Sequence, residues 1–438
     1  MKPQFLSLLA RCCFIAGIAL QGSHACRFRR PKYPSKPVQP VQPECDCYVV
    51  SGPEPGYFQN YQFWDFRAVS FDQKLANEES GLLPARADQG DDAIGGSADG
   101  FKGKTILLSE TPFAEDWKIQ KWKRNPSDLA PVHMVHSNDN VFIARNPSPG
   151  RDNPNSTYLV LRTTRFENFT STAEIESRLQ NVFRASIRVH FKILSDDEPS
   201  SILPSERGNV LTATSQRNIR PSSNQAVPKA SSPPGGVCAG IFTYHSSKCE
   251  SDIEILTSDP HSRVHYANQP DYDPVTDTMI PGASTIMDVP VPWTSWATHR
   301  LDWTQTTSRW FVDEQLQDTK TYRVPEKPSM VVLNLWSDGG SWSGDMVHGT
   351  SVHMAIEWIE LAYNVSTQKD HIPDDRQTLP PKHAGRGSIF HAVGLRRDGQ
   401  EESPAENSSV AKGKMCRNPC KIDGLGKRGG PRGAAFKS

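Results

Sequence analysis

The chain has 438 residues, more than one core usually needs, and with 36% hydrophobic residues, 35 prolines and 30 glycines much of the excess is expected to be loop and linker. Its 49 basic and 49 acidic residues cancel, which argues against a nucleic-acid partner held by bulk electrostatics. No run approaches the roughly 18 apolar residues of a membrane-spanning helix.

Residues 1–25 read as a secretory signal: Lys2 and Arg11 form a basic n-region, Cys12 to Leu20 a short apolar run, and Ser23-His24-Ala25 a small-residue cleavage site. Cleavage after Ala25 would remove Cys12 and Cys13 and leave seven of the nine cysteines in an oxidising compartment. Cys238 and Cys249, bracketing AGIFTYHSSK, are the expected disulfide, clamping a hairpin; Cys416 and Cys420 are a further candidate pair. Cys26, Cys45 and Cys47 cannot all pair among themselves. Sequons at Asn155, Asn168, Asn364 and Asn407 fit a secreted glycoprotein.

Residues 26–56 are Pro-rich and basic and suit an extended linker. Order is expected from Tyr57, where aromatics become dense, through residue 366. Glu79 to Gly103 reads as a long loop, and the patch from Asp116 (DWKIQKWKR) as a short amphipathic turn. Short β-like runs follow at Val141–Ala144, Tyr158–Arg162, Ala173–Ser177 and Arg184–Ile193, the last with Ile187, Val189, Phe191 and Ile193 on one face. The stretch of about 195–236 is polar, Pro/Ser-rich and unpatterned, and reads as a disordered surface insertion.

Strands resume at Val237–Tyr244, and the next stretch, Cys249 to Leu256, alternates strictly. Glu250, Asp252 and Glu254 fall on one parity and Ser251, Ile253 and Ile255 on the other, so a strand sends three carboxylates to one face and two isoleucines to the opposite one. Three adjacent acids repel one another, and folding does not ask for that; chemistry that needs one ionised and one protonated carboxyl side by side does. Further strands are expected at Ser262–Tyr266, Ala297–Trp303, Ser308–Val312, Met330–Trp336 and Val352–Tyr363. Many short strands with hardly any helical periodicity predict an all-β, two-sheet sandwich. Residues 367–438 read as a low-complexity disordered tail with a basic end and without the hydrophobic terminus of a lipid anchor.

Glu250-Ser251-Asp252-Ile253-Glu254 resembles the E-x-D-x-E signature of glycoside hydrolase family 16, secreted β-jelly-roll enzymes of the concanavalin A-like class that cut or transfer β-linked glucans. Ala173-Glu174-Ile175-Glu176-Ser177 with Phe183-Arg184-Ala185-Ser186 is similar to the strand pair that precedes the signature. His265-Tyr266-Ala267-Asn268-Gln269-Pro270 resembles a segment that follows it in secreted fungal members. Leu301-Asp302-Trp303-Thr304, Arg309 to Asp313, and Leu333-Asn334-Leu335-Trp336 with Trp342 complete the familiar order, from about Tyr57 to Tyr363.

The resemblance implies Glu250 as nucleophile, Glu254 as general acid/base and Asp252 as the residue that tunes their protons. A retaining mechanism needs its two working carboxyls ~5–5.5 Å apart, whereas α-carbons four residues apart on a strand lie ~13 Å apart, so the side chains must lean together over Asp252. Sugar rings offer flat C–H faces to aromatic rings, which nominates Trp336 and Trp342 as stacking residues and Asn334, on the face of Trp336 and opposite Leu333 and Leu335, as a hydrogen-bonding one. Tyr266 and Asn268 are preferred over His265 as cleft residues; Trp303, Trp310 and His299 are expected to be structural. No P-loop, dinucleotide fingerprint or zinc pattern is present. No cofactor is expected, although family members can carry a structural calcium ion, for which no ligand set is readable here. The expected partner is a β-glucan, with no nucleic acid and no membrane span, and the chain is expected to act as a monomer, secreted or in a cell wall. The sequence points to a hydrolase of the β-1,3 or β-1,3/1,4 type; the alternatives are a wall transglycosylase and a non-catalytic carbohydrate-binding protein on the same fold.

Overall fold

Strict alternation in the central strands divides each of them into an oily and a polar face, and two such sheets close their oily faces on one another. A computed structural model describes residues 45–71, 105–146, 153, 156–195, 232–366 and 416–423, with the backbone of Leu82–Leu83 and Phe101–Lys102. The expected signal segment, the insertion across 196–231 and the sequons Asn155 and Asn407 lie outside the described residues. The described residues fall in one compact unit, 34–438, and contain strands and three short 3-10 turns.

The first sheet runs, neighbour to neighbour, Trp117–Ile119, Phe169–Ser177, Met330–Trp336, Cys238–Ser246, Cys249–Leu256, Arg263–Asn268 and Ser284–Asp288, with every one of these contacts antiparallel. The second runs Gln315–Lys320, Ser308–Val312, Ala297–Trp303, Val182–Ser195 and Ser351–Val365; the last of these then pairs with both Thr157–Arg165 and Asn60–Asp65. Phe169–Ser177 belongs to both sheets: Thr170 and Ser171 pair with Arg165 and Thr164 of the second, and Ala173 to Glu176 with Leu335 to Val332 of the first. A strand that switches sheets in this way turns a corner of the sandwich. The fold is thus an all-β jelly-roll sandwich.

The core lies between the sheets. One row across the first sheet places Ile175, Leu333, Ile241, Ile253 and Tyr266 in register, and all of them pack in one buried cluster with Ile187, Val189, Leu301, Trp303, Trp310, Ile359 and Leu361. Burying a side chain the size of isoleucine contributes roughly 1.5–3 kcal/mol, so Ile253 and Ile255, each 1% exposed, fix which face of the acidic strand turns inward. A slip of one residue would reverse it.

Both expected disulfides are corrected. Cys238 and Cys249 are not joined: Cys238 pairs with Leu256 and Cys249 with Ser246, at opposite ends of the hairpin. Seven strand residues, ~23 Å, separate those ends, far beyond the ~7 Å that a disulfide spans between α-carbons. Nor does Cys416 pair with Cys420. The bonds are Cys45–Cys420 and Cys47–Cys416, with Cα–Cα distances of 5.6 and 5.5 Å.

The linker and tail boundaries shift accordingly. Cys47–Val50 pairs with Gly56–Phe58 on one side and, in parallel, with Pro419–Lys421 on the other. Val50, Phe58 and Ile422 are buried against Tyr61, Phe63, Trp358 and Ala362 of the second sheet. Asp423 accepts from Ser51 N at 3.0 Å and from Arg188 Nη2 at 2.5 Å, while Arg188 Nη1 donates to Glu360 at 2.8 Å. Packed structure therefore begins ahead of Tyr57 and includes 416–423. The 117–124 patch is not a turn but two short strands, Trp117–Ile119 and Lys123–Arg124.

Candidate active site

The polar face of the first sheet reads as a set of rows. Glu250 stands opposite Tyr244, which stands opposite Met330; Asp252 is followed by Phe242, Val332 and Glu176; Glu254 by Gly240, Asn334 and Glu174; Leu256 by Cys238 and Trp336. On the far side of the acidic strand, His265 pairs with Glu254. Directly paired residues share a face, so one surface gathers the three acids, Asn334, Glu174, His265 and Trp336.

The acids are not a solvated face. Glu250, Asp252 and Glu254 are 2%, 0% and 5% exposed, and burying carboxylates is unfavourable unless partners or a task require it. Asp252 accepts a hydrogen bond from Gln269 Nε2 at 2.7 Å, which fixes it between its two neighbours. On one side of the acid rows Phe242, Tyr244, Met330 and Val332 form an apolar bed. On the other, Met134, Cys238, Leu256 and Trp336 pack together with Trp122 and Trp342 against them.

Asn334 and Trp336 lie where parity predicts, with Leu333 and Leu335 in the core. Asn334 Nδ2 donates to Glu174 Oε2 at 3.2 Å, and Trp122 Nε1 donates to Glu174 Oε1 at 3.1 Å, a chain that holds the amide beside Glu254. Asn334 Oδ1 is buried with no hydrogen-bond partner among the described residues. Trp342, half-buried, lies edge-on to His265, with ring centroids 5.0 Å apart. Its loop is held by Asp338, whose Oδ1 accepts from Gly340 N and Ser343 Oγ at 2.9 Å each and whose Oδ2 accepts from Arg124 Nη2. The Arg124 guanidinium lies over the Trp336 ring, 5.7 Å from its centroid.

Tyr266 and Asn268 are not in the site. Tyr266 pairs with Ile253, is stacked on Trp310 at 5.5 Å and is wholly buried in the core, and burial pushes its hydroxyl pKa above the usual tyrosine range. Asn268 pairs with Ser251 on the same inward face, where it accepts from Ser251 Oγ at 2.5 Å and donates to Tyr322 O at 2.8 Å. The cleft residue of this strand is His265, whose Nε2 lies 2.7 Å from Asp259 Oδ2. Glu174, Trp122 and Arg124 were also not singled out as site residues. Trp303, Trp310 and His299 are buried, as expected of structural residues. Among the sequons, Asn168 is exposed, whereas the side chain of Asn364 accepts from Gln59 N and donates to Tyr57 O. Among the described residues no group of three or more His, Cys, Asp or Glu is arranged to hold a metal ion.

No family model matches the chain. In sequence it is 31% identical over 67 residues to a β-glucanase of Bacillus licheniformis, 15% of this chain and 28% of that protein. It is 25% identical over 135 residues to a β-glucanase of Bacillus subtilis, 28% of this chain and 51% of that one. The chain thus spans about half, or less, of the length of these curated relatives. Among solved structures, the B. licheniformis β-glucanase is similar at 17% identity over 59% of this chain and 96% of that one, with a TM-score of 0.39. By the order of its motifs and by its all-β jelly-roll sandwich, the chain resembles glycoside hydrolase family 16.

Proposed function

We propose that the protein is a secreted glycoside hydrolase of β-linked glucans, of the endo-β-1,3 or β-1,3/1,4 type, working by retaining double displacement. The observation that carries this reading is the burial of Glu250, Asp252 and Glu254 on one face, directly backed by Ile253 and Ile255 in the core. Five β-glucanase matches in sequence support it, and the two disulfides fit an oxidising, extracellular setting.

In the first step the Glu250 carboxylate attacks the anomeric carbon while Glu254 gives its proton to the glycosidic oxygen. The C–O bond to the leaving chain breaks and a glycosyl ester on Glu250 forms. In the second, Glu254, now a carboxylate, takes a proton from water, the resulting oxygen attacks the anomeric carbon, and Glu250 leaves as a carboxylate. Asp252, held by Gln269, stands between the two on the same face, and three carboxyls placed so close disfavour one another's simultaneous ionisation. Asn334 offers a buried acceptor to a sugar hydroxyl, and Trp342 a ring face to the sugar's C–H bonds.

Incubating the protein with β-1,3-, mixed-linkage β-1,3/1,4- and β-1,6-glucan, beside Glu250→Gln and Glu254→Gln, tests the reading. Cleavage by the wild type with net retention at the anomeric carbon, lost in both variants, is the expected result. A labelled oligosaccharide acceptor in the same reaction separates transfer from hydrolysis. Binding of glucan with no cleavage by any form would replace the enzyme with a binding protein.

A further inference from the structure

The Cys238 thiol lies on this floor, and double displacement gives it no task. Cys238 pairs with Leu256, and Gly240, two residues along, pairs with Glu254, so the thiol and the carboxyl are diagonal neighbours on one face. Diagonal pairs lie ~7–8 Å apart at the backbone, within reach of a long side chain. Gly240 places no side chain of its own between them. Cys238 Sγ donates to Glu254 Oε1 at 3.8 Å, in range for a sulfur donor. The sulfur is 0% exposed and packed against Met134, Leu256 and Trp336. A thiol is a weak donor in water, but in a dry surrounding its bond to a carboxylate counts for more.

We propose that Cys238 is a positioning residue for Glu254: its S–H holds Oε1 in place and favours the ionised form of that carboxyl. The inference rests on Glu254 being the acid/base. In the cycle above, the thiol would stabilise the carboxylate that Glu254 becomes once the leaving chain is protonated. The other charged or titratable groups on this surface are Asp252 and Glu250 on the same strand, His265 directly opposite, Glu174 in the same row, Glu176 in the row of Asp252, Tyr244 opposite Glu250 and Arg124 over Trp336. They remain in every variant below, so a difference between variants isolates the thiol.

Cys238→Val removes the donor and keeps a slightly larger apolar side chain; Cys238→Ser keeps a donor. Losing a hydrogen bond of about 1 kcal/mol is a shift of roughly 0.7 pH units. The basic limb of the kcat/KM pH profile, which reports the protonated acid, should therefore move up by about that much in Cys238→Val and return to or below its wild-type place in Cys238→Ser. Superimposable wild-type and valine profiles would overturn the proposal, and so would equal shifts in both variants, since packing alone would then be the cause. Raman spectroscopy supplies a readout that needs no turnover. The S–H stretching band that Cys238→Val removes should shift when Glu254→Ala deletes the acceptor, and an unmoved band overturns the contact. If the wild type cleaves no glucan, the enzyme reading fails, while the Raman comparison still decides whether the thiol serves Glu254.

Discussion

Gly240 stands directly opposite Glu254, and a Cβ added there would lie 2.6 Å from Asn334 Oδ1. The oxygen cannot simply move aside, because Asn334 is tied to Glu174 and Glu174 to Trp122. Gly240→Ala is therefore expected to displace the amide while leaving the inward faces of the sheet intact. In a strand the alanine itself gains about 0.5–1 kcal/mol of backbone entropy over glycine, which offsets part of the crowding. Activity on β-glucan should fall by about tenfold or more, the scale of one misplaced polar contact, with a melting temperature within a few degrees of wild type. Parallel kinetics and thermal melts check it, and a fully active variant would show that Asn334 does not contact the substrate.

Much of this was legible in the chain because alternation over several residues is a local signal. The strands at Ala297–Trp303, Ser308–Val312 and Met330–Trp336 match the expected bounds, and the faces of Glu250, Asp252, Glu254, Asn334 and Trp336 follow from parity alone. Parity could also separate His265 from Tyr266 but not say which of them meets the acids, since that depends on pairing with the neighbouring strand. The missed signal was apolar: Val264 and Tyr266 share a parity and both belong to the core. The disulfides were out of reach for a different reason. Their partners are 375 and 369 residues apart, and cysteine spacing carries no information about which distant strands a fold brings together. Likewise, Trp117–Ile119 and Lys123–Arg124 are three and two residues long, too short for any period to show.

His265 connects the acid rows to the aromatic wall. Its ring sits between Asp259, 2.7 Å from Nε2, and Trp342, to which it lies edge-on, so it aligns the loop tryptophan and takes no part in the displacement. An aromatic pair of this kind is worth ~0.5–1.5 kcal/mol, a factor of about two to twelve in binding. His265→Ala should therefore raise KM for glucan by several-fold and leave kcat within about twofold. Steady-state kinetics distinguish this from a role in proton transfer, for which kcat would fall instead.

The clip formed by Cys45–Cys420 and Cys47–Cys416 lies on the second sheet, with its cluster of Val50, Phe58 and Ile422 against Trp358. The acids are on the outer face of the first sheet, so the clip should govern stability and not turnover. Replacing both cysteines of either pair by serine is expected to cost about 2–5 kcal/mol, with kcat unchanged at temperatures where the fold survives. Asp423→Asn should cost less, about 1–2 kcal/mol, because Arg188 keeps its 2.8 Å bond to Glu360. Chemical denaturation of each variant, with activity measured alongside, checks both. Loss of turnover at low temperature would mean that the clip supports the cleft.

Two buried histidines, His299 in the core and His353 on the other face of the second sheet, set a pH limit on the fold. Burial pushes His299 down from the usual 6.5 to about 4 and His353 down to about 3. His299 pairs with Val189 and Val312, packs on Phe191 at 4.7 Å, and neither ring nitrogen has a hydrogen-bond partner among the described residues. A histidine whose folded pKa is depressed stays neutral in the fold but charges in the unfolded chain once pH drops below 6.5. The unfolded state then binds more protons, so stability falls as pH falls. The contribution is complete above pH 6.5 and is lost progressively down to about pH 4 for His299. At 1.36 kcal/mol per pKa unit the loss is about 3 kcal/mol. His299→Leu, which fills the same core position without a titrating group, should abolish that part of the acid sensitivity and leave stability at neutral pH equal to or above wild type. Denaturant midpoints at pH 7 and pH 4.5 for both proteins decide the matter. Parallel losses in the two would assign the acid sensitivity to other groups.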